Sequence, residues 1–273
     1  MLGRAELFVG TQGWNYPSWV GPFYPAGTRP ARMLASYVLA FPTVEVDSTA
    51  YGIPTDPAVL GWRSCAPAHF HFALKLPQEI THERRLKDCT SLLRRFVDRV
   101  SQLGDALGPI LIQLSPAFRP TTGNRDVLRD FIAELPEGRR WAVEFRHPGW
   151  MHAATLETLK SRNVAAVLVD GRWIRKELMR EVALEPTADF AYIRWMGRDR
   201  SLTDFSRPQI DRSEDLDWWL EVVRLLEERV SRIFGYFSNF HEGHAPHSAR
   251  ELQRRMGQEP VAPERLQEQR ELF

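Results

Sequence analysis

The chain has 273 residues, 43% of them hydrophobic and 26% charged, with a formal net charge of +1. Those figures exclude disordered and collagen-like classes, and they leave no global field drawing the protein to nucleic acid or to an anionic membrane surface. Two cysteines, Cys65 and Cys89, are too few for a disulfide framework and read as reduced thiols. The opening MLGRAELFVG lacks the basic flank and apolar run of a signal peptide, and no stretch of about 18 apolar residues offers a membrane span. The expectation is a cytoplasmic protein without a membrane partner.

In chain order, LFVGTQ (7–12) reads as the first strand, and Pro30 opens a helix with Met33, Leu34, Tyr37, Val38 and Phe41 on one face. TVEVD (43–47) and HFALKL (71–76) are the next two strands. Residues 90–107 then place Leu92, Leu93, Phe96, Val97, Val100 and Leu103 at helical spacing. ILIQL (110–114) precedes a short helix over 126–135, and WAVEF (141–145) precedes one over 151–161. AAVLVD (165–170) leads into a decorated loop with a short helix across 171–189. AYIRW (191–195) leads to a helix over 213–230 with Ser213 as its N-cap and acids in its first turn. IFGYFS (233–238) and a helix over 246–256 finish the series. Eight short β-rich runs alternating with helices predict an α/β fold: a single (β/α)8 TIM-type barrel over residues 1–256, with decorated loops. A polar tail with two prolines covers 257–273. A doubly wound open sheet is the rival, and periodicity alone does not remove it.

Strand side chains alternate between two faces. If Val44 and Val46 face the helices, Glu45 and Asp47 face the barrel interior. The same rule turns inward His71, Ala73 and Lys75, then Leu111 and Gln113, then Ala142, Glu144 and Arg146. It assigns Asp170 to the sixth strand and Tyr192 with Arg194 to the seventh. Each strand thereby delivers a polar residue near its C-terminal end, where barrel enzymes build their sites. A buried ion-pair network that merely fills the barrel is the alternative, and such networks are costly to desolvate.

The motifs TQGWNYPSW (11–19), VEVDSTAYGIP (44–54), THERRL (81–86), LGPILIQLSP (107–116), VEFRHPGW (143–150), YIRWMG (192–197) and YFSNFHEGHAPHSA (236–249) resemble, in order, those of the YecE-like family, domain of unknown function 72. The resemblance implies an eight-stranded α/β barrel and no particular activity. Asp47 and Ala50 stand where the family pattern has Asn and Phe, Gln12 where it has Ser, and Ser238 and Ser248 where it has Asn.

Several residues carry candidate chemistry. Trp14, Tyr16 and Trp19 form either an aromatic wall for a ligand or a packing plug. Glu144 beside Arg146 is either a fixed carboxylate or, through burial, a titratable acid–base group. His147 falls on the opposite face from Arg146 and has either a binding or a structural role. Lys75, Arg146 and Arg194 converge from three strands as cations for a phosphate or carboxylate. An anion site is also expected at the loops after the last two strands, GRDRS (197–201) and NFHEGHAPHSA (239–249). His241, His244 and His247 raise the possibility of a divalent metal, and His82 is a rim histidine fit for acid–base work. No phosphate loop, dinucleotide fingerprint, nucleophile elbow or H-E-x-x-H is present. The leading expectation is an enzyme binding a small anionic substrate through Lys75, Arg146 and Arg194. Glu144, Asp170 or Glu45 would be acid or base, Gln113 and Asn239 would orient the substrate, and Asp47, Trp14, Tyr16, His82 and His147 would surround it. Metal-assisted phosphodiester hydrolysis on nucleic acid and a non-catalytic scaffold are the rivals. Substrate, reaction and oligomeric state are not encoded in a pattern of this kind.

Overall fold

The computed structural model describes residues 4–198 and 200–268. Nine parallel strands are present: β1 (Glu6–Gln12), β2 (Thr43–Val46), β3 (His71–Lys75), β4 (Leu107–Gln113), β5 (Trp141–Glu144), β6 (Ala165–Ala166), β7 (Leu168–Asp170), β8 (Phe190–Trp195) and β9 (Arg232–Phe237). Their order is β6-β5-β4-β3-β2-β1-β9-β8-β7. Only Val167 separates β6 from β7, so the two are halves of one crossing. The first half pairs with β5 through Ala142 and Ala165, and the second pairs with β8 through Asp170 and Trp195. The sheet therefore returns to its own start as eight crossings, and the open-sheet rival is excluded.

Helices α1 (Pro30–Tyr37), α2 (Asp56–Cys65), α3 (Thr90–Val100), α4 (Thr122–Ala133), α5 (Ala153–Lys160), α6 (Lys176–Leu184), α7 (Ser213–Glu227), α8 (Ala245–Arg255) and α9 (Pro263–Glu268) complete the described residues. The helix expected over 90–107 stops at Val100. Gly104 breaks it with φ 59 and ψ −129, and Leu107 already belongs to β4. The tail is not purely polar in behaviour, because α9 buries Leu266 against the rest of the chain. No helix among the described residues is long and apolar enough to cross a membrane.

Apolar side chains segregate as strand alternation requires. Val44, Val46, Phe72, Leu74, Ile110, Ile112 and Val143 join the large core between strands and helices. Ala73, Leu111, Ala142, Ala165, Phe190, Tyr192, Phe234 and Tyr236 form a separate interior core. Small alanines of β3, β5 and β6 thus share the interior with the large rings of β8 and β9. The volumes complement one another across the barrel, and the lower interior is a packed apolar plug. Polar residues occupy the layer above it.

Candidate functional site at the barrel mouth

Glu45 from β2, Arg194 from β8 and Glu144 from β5 meet above the plug, each at most 2% exposed. Arg194 donates Nε and Nη2 to the two oxygens of Glu45 at 2.9 and 2.7 Å, a bidentate fork. Its Nη1 donates to Glu144. All three nitrogens donate to protein carboxylates, so three of the five guanidinium N–H groups of Arg194 are spent on the protein. Burial lowers its pKa, but Glu144, Glu45 and Asp47 raise it by more, and the guanidinium stays charged. Tyr192 donates its hydroxyl to Glu45 Oε2 at 2.6 Å, and Gln12 Nε2 donates to Oε1 at 3.0 Å. Gln12, the last residue of β1, belongs to this layer, and its inward parity with Phe8 was the signal for it.

Glu144 accepts further hydrogen bonds from Gln113 Nε2, at 3.1 Å to each oxygen, and from Arg146 Nε at 2.9 Å. Burial alone pushes Glu144 up. Arg194, Arg146 and Gln113 outweigh it and hold the carboxyl down at about 2. Glu144 is thus a fixed carboxylate at neutral pH, which answers the choice that the sequence left open. Glu45 is held by the same guanidinium.

Above this floor lie groups with free valences. Lys75 Nζ meets Asp47 Oδ1 at 3.1 Å, with side chains 12% and 34% exposed. Desolvation among the surrounding loops, with Glu45 nearby, pushes Asp47 up against the pull of Lys75. Arg146 is anchored by Nε, whereas Nη1 and Nη2 have no protein partner among the described residues. His82 sits on a single π turn (Glu79–Glu83) after β3, its Nδ1 2.9 Å from Thr81 Oγ1. Such turns are enriched at functional sites, and Arg85, Leu86 and Asp88 just beyond it all hold positive φ. Burial lowers the His82 pKa, and Arg146 and Lys75 lower it further. Arg200 adds a cation. It lies over the Phe240 ring at 4.5 Å and is lowered by burial and then by Arg146 and Arg172. Arg200 falls in GRDRS (197–201), a loop where the sequence led to the expectation of an anion site, whereas Arg172 was not singled out, since its loop has no strand pattern. Gly197 lets the loop carrying Arg200 approach the loop after β9. It holds φ 66, and a Cβ there would lie 1.9 Å from Phe240 O.

Other expected site residues are placed elsewhere. Asp170 is a correction. Inward positions in its crossing are Ala165, Val167 and Val169, so Asp170 has outward parity and accepts from Arg212 Nη2 at 2.7 Å behind the strands. Burial raises its pKa, but His241 and Arg212 bring it below the usual range. Asn239 is also on the helix side. Its Oδ1 accepts from Trp19 Nε1 at 3.1 Å and from the Ala245 amide at 3.0 Å, capping α8. Trp14 packs edge-on against Trp62 of α2, and Trp19 is fully buried against Phe23. The packing alternative therefore holds for both rings. Tyr16 does reach the mouth. Its hydroxyl donates to Gln12 O at 3.0 Å, and burial with Asp47 and Glu45 nearby raises its pKa. His147 accepts from the Gly149 amide at 3.1 Å and caps a turn, its structural alternative.

Arg200 apart, the helix starts after the last two strands do not form an open anion cradle. Glu242 occupies the start of α8, accepting from Ser248 Oγ at 2.6 Å, and Asp211 holds the Ser213 amide at the start of α7. The three spaced histidines diverge. His241 lies near Asp170, His244 Nδ1 pairs with Phe205 O, and His247 Nδ1 pairs with Glu242. Among the described residues no three His, Cys, Asp or Glu side chains group to hold a metal ion.

A family model described as "Protein of unknown function DUF72" matches residues 8–271. The chain belongs to this family. It is 30% identical over 171 residues to the UPF0759 protein YecE of Escherichia coli, a match spanning 61% of this chain and 60% of that protein's length. The UPF0759 protein YunF of Bacillus subtilis is 22% identical over 271 residues, 90% of this chain and 93% of the other. The crystal structure of a DUF72 family protein from Thermotoga maritima shares 26% identity with a TM-score of 0.78, covering 93% of this chain and all of the other. One from Enterococcus faecalis, at 18% identity and a TM-score of 0.73, matches in fold. The fold is thus shared with these two crystal structures, and the names of all four relatives record no activity.

Proposed function

We propose that this DUF72 protein binds a small phosphate- or carboxylate-bearing molecule at the C-terminal mouth of its barrel and performs acid–base chemistry on it. The observation that carries the reading is Arg146: one nitrogen is pinned by Glu144 while the other two have no hydrogen-bond partner among the described residues. A guanidinium oriented by a buried carboxylate is a preorganised anion ligand. Lys75 and Arg200 supplement it, so four cations including Arg194 stand with the three carboxylates Glu45, Asp47 and Glu144 in this layer, among the described residues. The excess is positive.

The roles differ from those the sequence suggested. Glu45 and Glu144, clasped by Arg194, form a fixed floor that orients Arg146 and Gln113. Proton transfer falls to Asp47 and His82, whose pKa values move toward each other, one raised and one lowered. His82, lowered by burial and by Arg146 and Lys75, is a neutral imidazole at neutral pH, while burial moves Asp47 upward from the usual carboxylate range. Titration calorimetry with inorganic phosphate and with simple carboxylates at low ionic strength tests the reading. The parent should bind at least one of them saturably, and Arg146→Met should weaken it tenfold or more, about 1.4 kcal/mol. No binding by the parent, or an unaffected variant, would end it.

A further inference from the structure

A second polar cavity opens at the opposite end of the barrel, where helices hand over to strands. Its volume is about 570 Å³, and it lies between the segments preceding β5 and β6, with Asp189 on the rim. Four cations line it: Arg139, Arg140, Lys160 and Arg162. Only two carboxylates do, and both are engaged. Asp189 Oδ1 accepts from Asn163 Nδ2 at 2.9 Å, while the Asp189 amide donates to Asn163 Oδ1 at 2.8 Å. Glu137 meets Arg162 at 3.5 Å with its side chain 84% exposed, a contact of little strength. Arg139 donates to Ser101 Oγ at 3.0 Å and has no carboxylate. Arg140 and Lys160 have neither a hydrogen bond from the side chain nor an ion pair among the described residues.

Helix C-termini collect at this end of a barrel, and a cation in a last turn complements the helix dipole. That accounts for Lys160, the last residue of α5. It does not account for Arg139 and Arg140, which precede a strand. Arg140 is half-buried, and burial followed by repulsion from Arg232 lowers its pKa against the pull of Asp189 and Glu6. Glu6 is paired with Arg232 at 3.0 Å and Asp189 with Asn163 at 2.9 Å, so that pull does not restore the ordinary value. Crowding like charges around a half-buried guanidinium costs stability unless a counter-charge arrives.

We propose that this cavity is a binding site for a phosphate-rich small molecule of the pyrophosphate class, held by Arg140 and Lys160 with Arg139 and Arg162 alongside. Its size falls within the roughly 300–1,000 Å³ of small-ligand sites, and its cations stand on two facing segments, which suits a ligand with separated anionic groups. No aromatic ring is offered for stacking. Trp141 is 3% exposed, and its Nε1 is tied to Pro136 O at 2.9 Å, so recognition rests on charge.

The site is independent of the mouth, and the experiment separates them. Inorganic pyrophosphate is titrated into the parent, into Arg140→Met/Lys160→Met and into Arg146→Met, with a melting curve to confirm that each is folded. Expected is a saturable event in the parent that the double variant weakens tenfold or more and Arg146→Met preserves. If the mouth also takes pyrophosphate, two events appear in the parent and each variant removes its own. The proposal is overturned if the parent shows no saturable event, if the double variant retains every event, or if Arg146→Met alone removes all of them. Equal affinity for sulfate at matched ionic strength overturns the multi-phosphate class.

Discussion

Arg194→Met removes the one cation shared by two buried carboxylates. Glu45 and Glu144 are 0% and 2% exposed, and both direct oxygens at this guanidinium. Breaking one partner of a buried ion pair typically costs about 3–5 kcal/mol, because an uncompensated charge remains. The Glu144 pKa supplies a second figure. A fall from 4.5 unfolded to about 2 folded corresponds to roughly 3 kcal/mol at neutral pH. Because the folded value is depressed, that contribution is fully present above about pH 4.5 and disappears as pH falls through about 2. Without Arg194, Glu144 loses the largest of the interactions that hold its carboxyl down, so burial pushes it back up and protonation relieves the variant as the solution is acidified. Urea unfolding of parent and variant at pH 7 and pH 5 reads both effects. The expected gap is about 3–5 kcal/mol at pH 7, narrower at pH 5. A loss below about 1 kcal/mol at pH 7, the size of an exposed pair, or a gap that widens on acidification, would refute the reasoning.

The remaining expectations are simpler to read. The triple variant Glu45→Gln/Glu144→Gln/Arg194→Met should recover most of the stability lost in Arg194→Met, since no buried charge is left unpaired; urea unfolding at pH 7 measures it. His147→Ala should cost about 1 kcal/mol through its lost turn cap and leave phosphate binding at the mouth unchanged in calorimetry. Sulfate binding at the mouth should tighten as pH falls through the lowered His82 ionisation, because protonation adds a cation beside Arg146, and His82→Gln should flatten that profile. Gly197→Ala should cost at least about 2 kcal/mol in a thermal melt, from its positive φ and the clash with Phe240 O.

The barrel was legible because eight runs carried both β-rich composition and alternation. The parity of Glu45, Lys75, Gln113, Glu144, Tyr192 and Arg194 followed from apolar neighbours that clearly faced helices. Asp170 failed for the same physical reason. AAVLVD is apolar on both faces, and a one-residue shift in phase exchanges them without disturbing the pattern. Helix α2 went unseen because DPAVLGWRSC contains Gly61 and buries only Val59, leaving little periodic signal. Pairing was beyond reach too. That Arg194 is consumed by two acids while Arg146 keeps two nitrogens free depends on three-dimensional register between β2, β5 and β8. Arg200 reaches the mouth from a loop whose course is set by Gly197 and by its contact over the Phe240 ring.

The most direct measurement is a crystal structure grown in phosphate and examined at the C-terminal mouth. An ion bridging the free Arg146 nitrogens and its neighbouring cations, with Arg194 still clasped by Glu45 and Glu144, is the expected result. An empty mouth in crystals holding phosphate elsewhere, or an ion that displaces a carboxylate from Arg194, would contradict the division between a fixed floor and a binding rim.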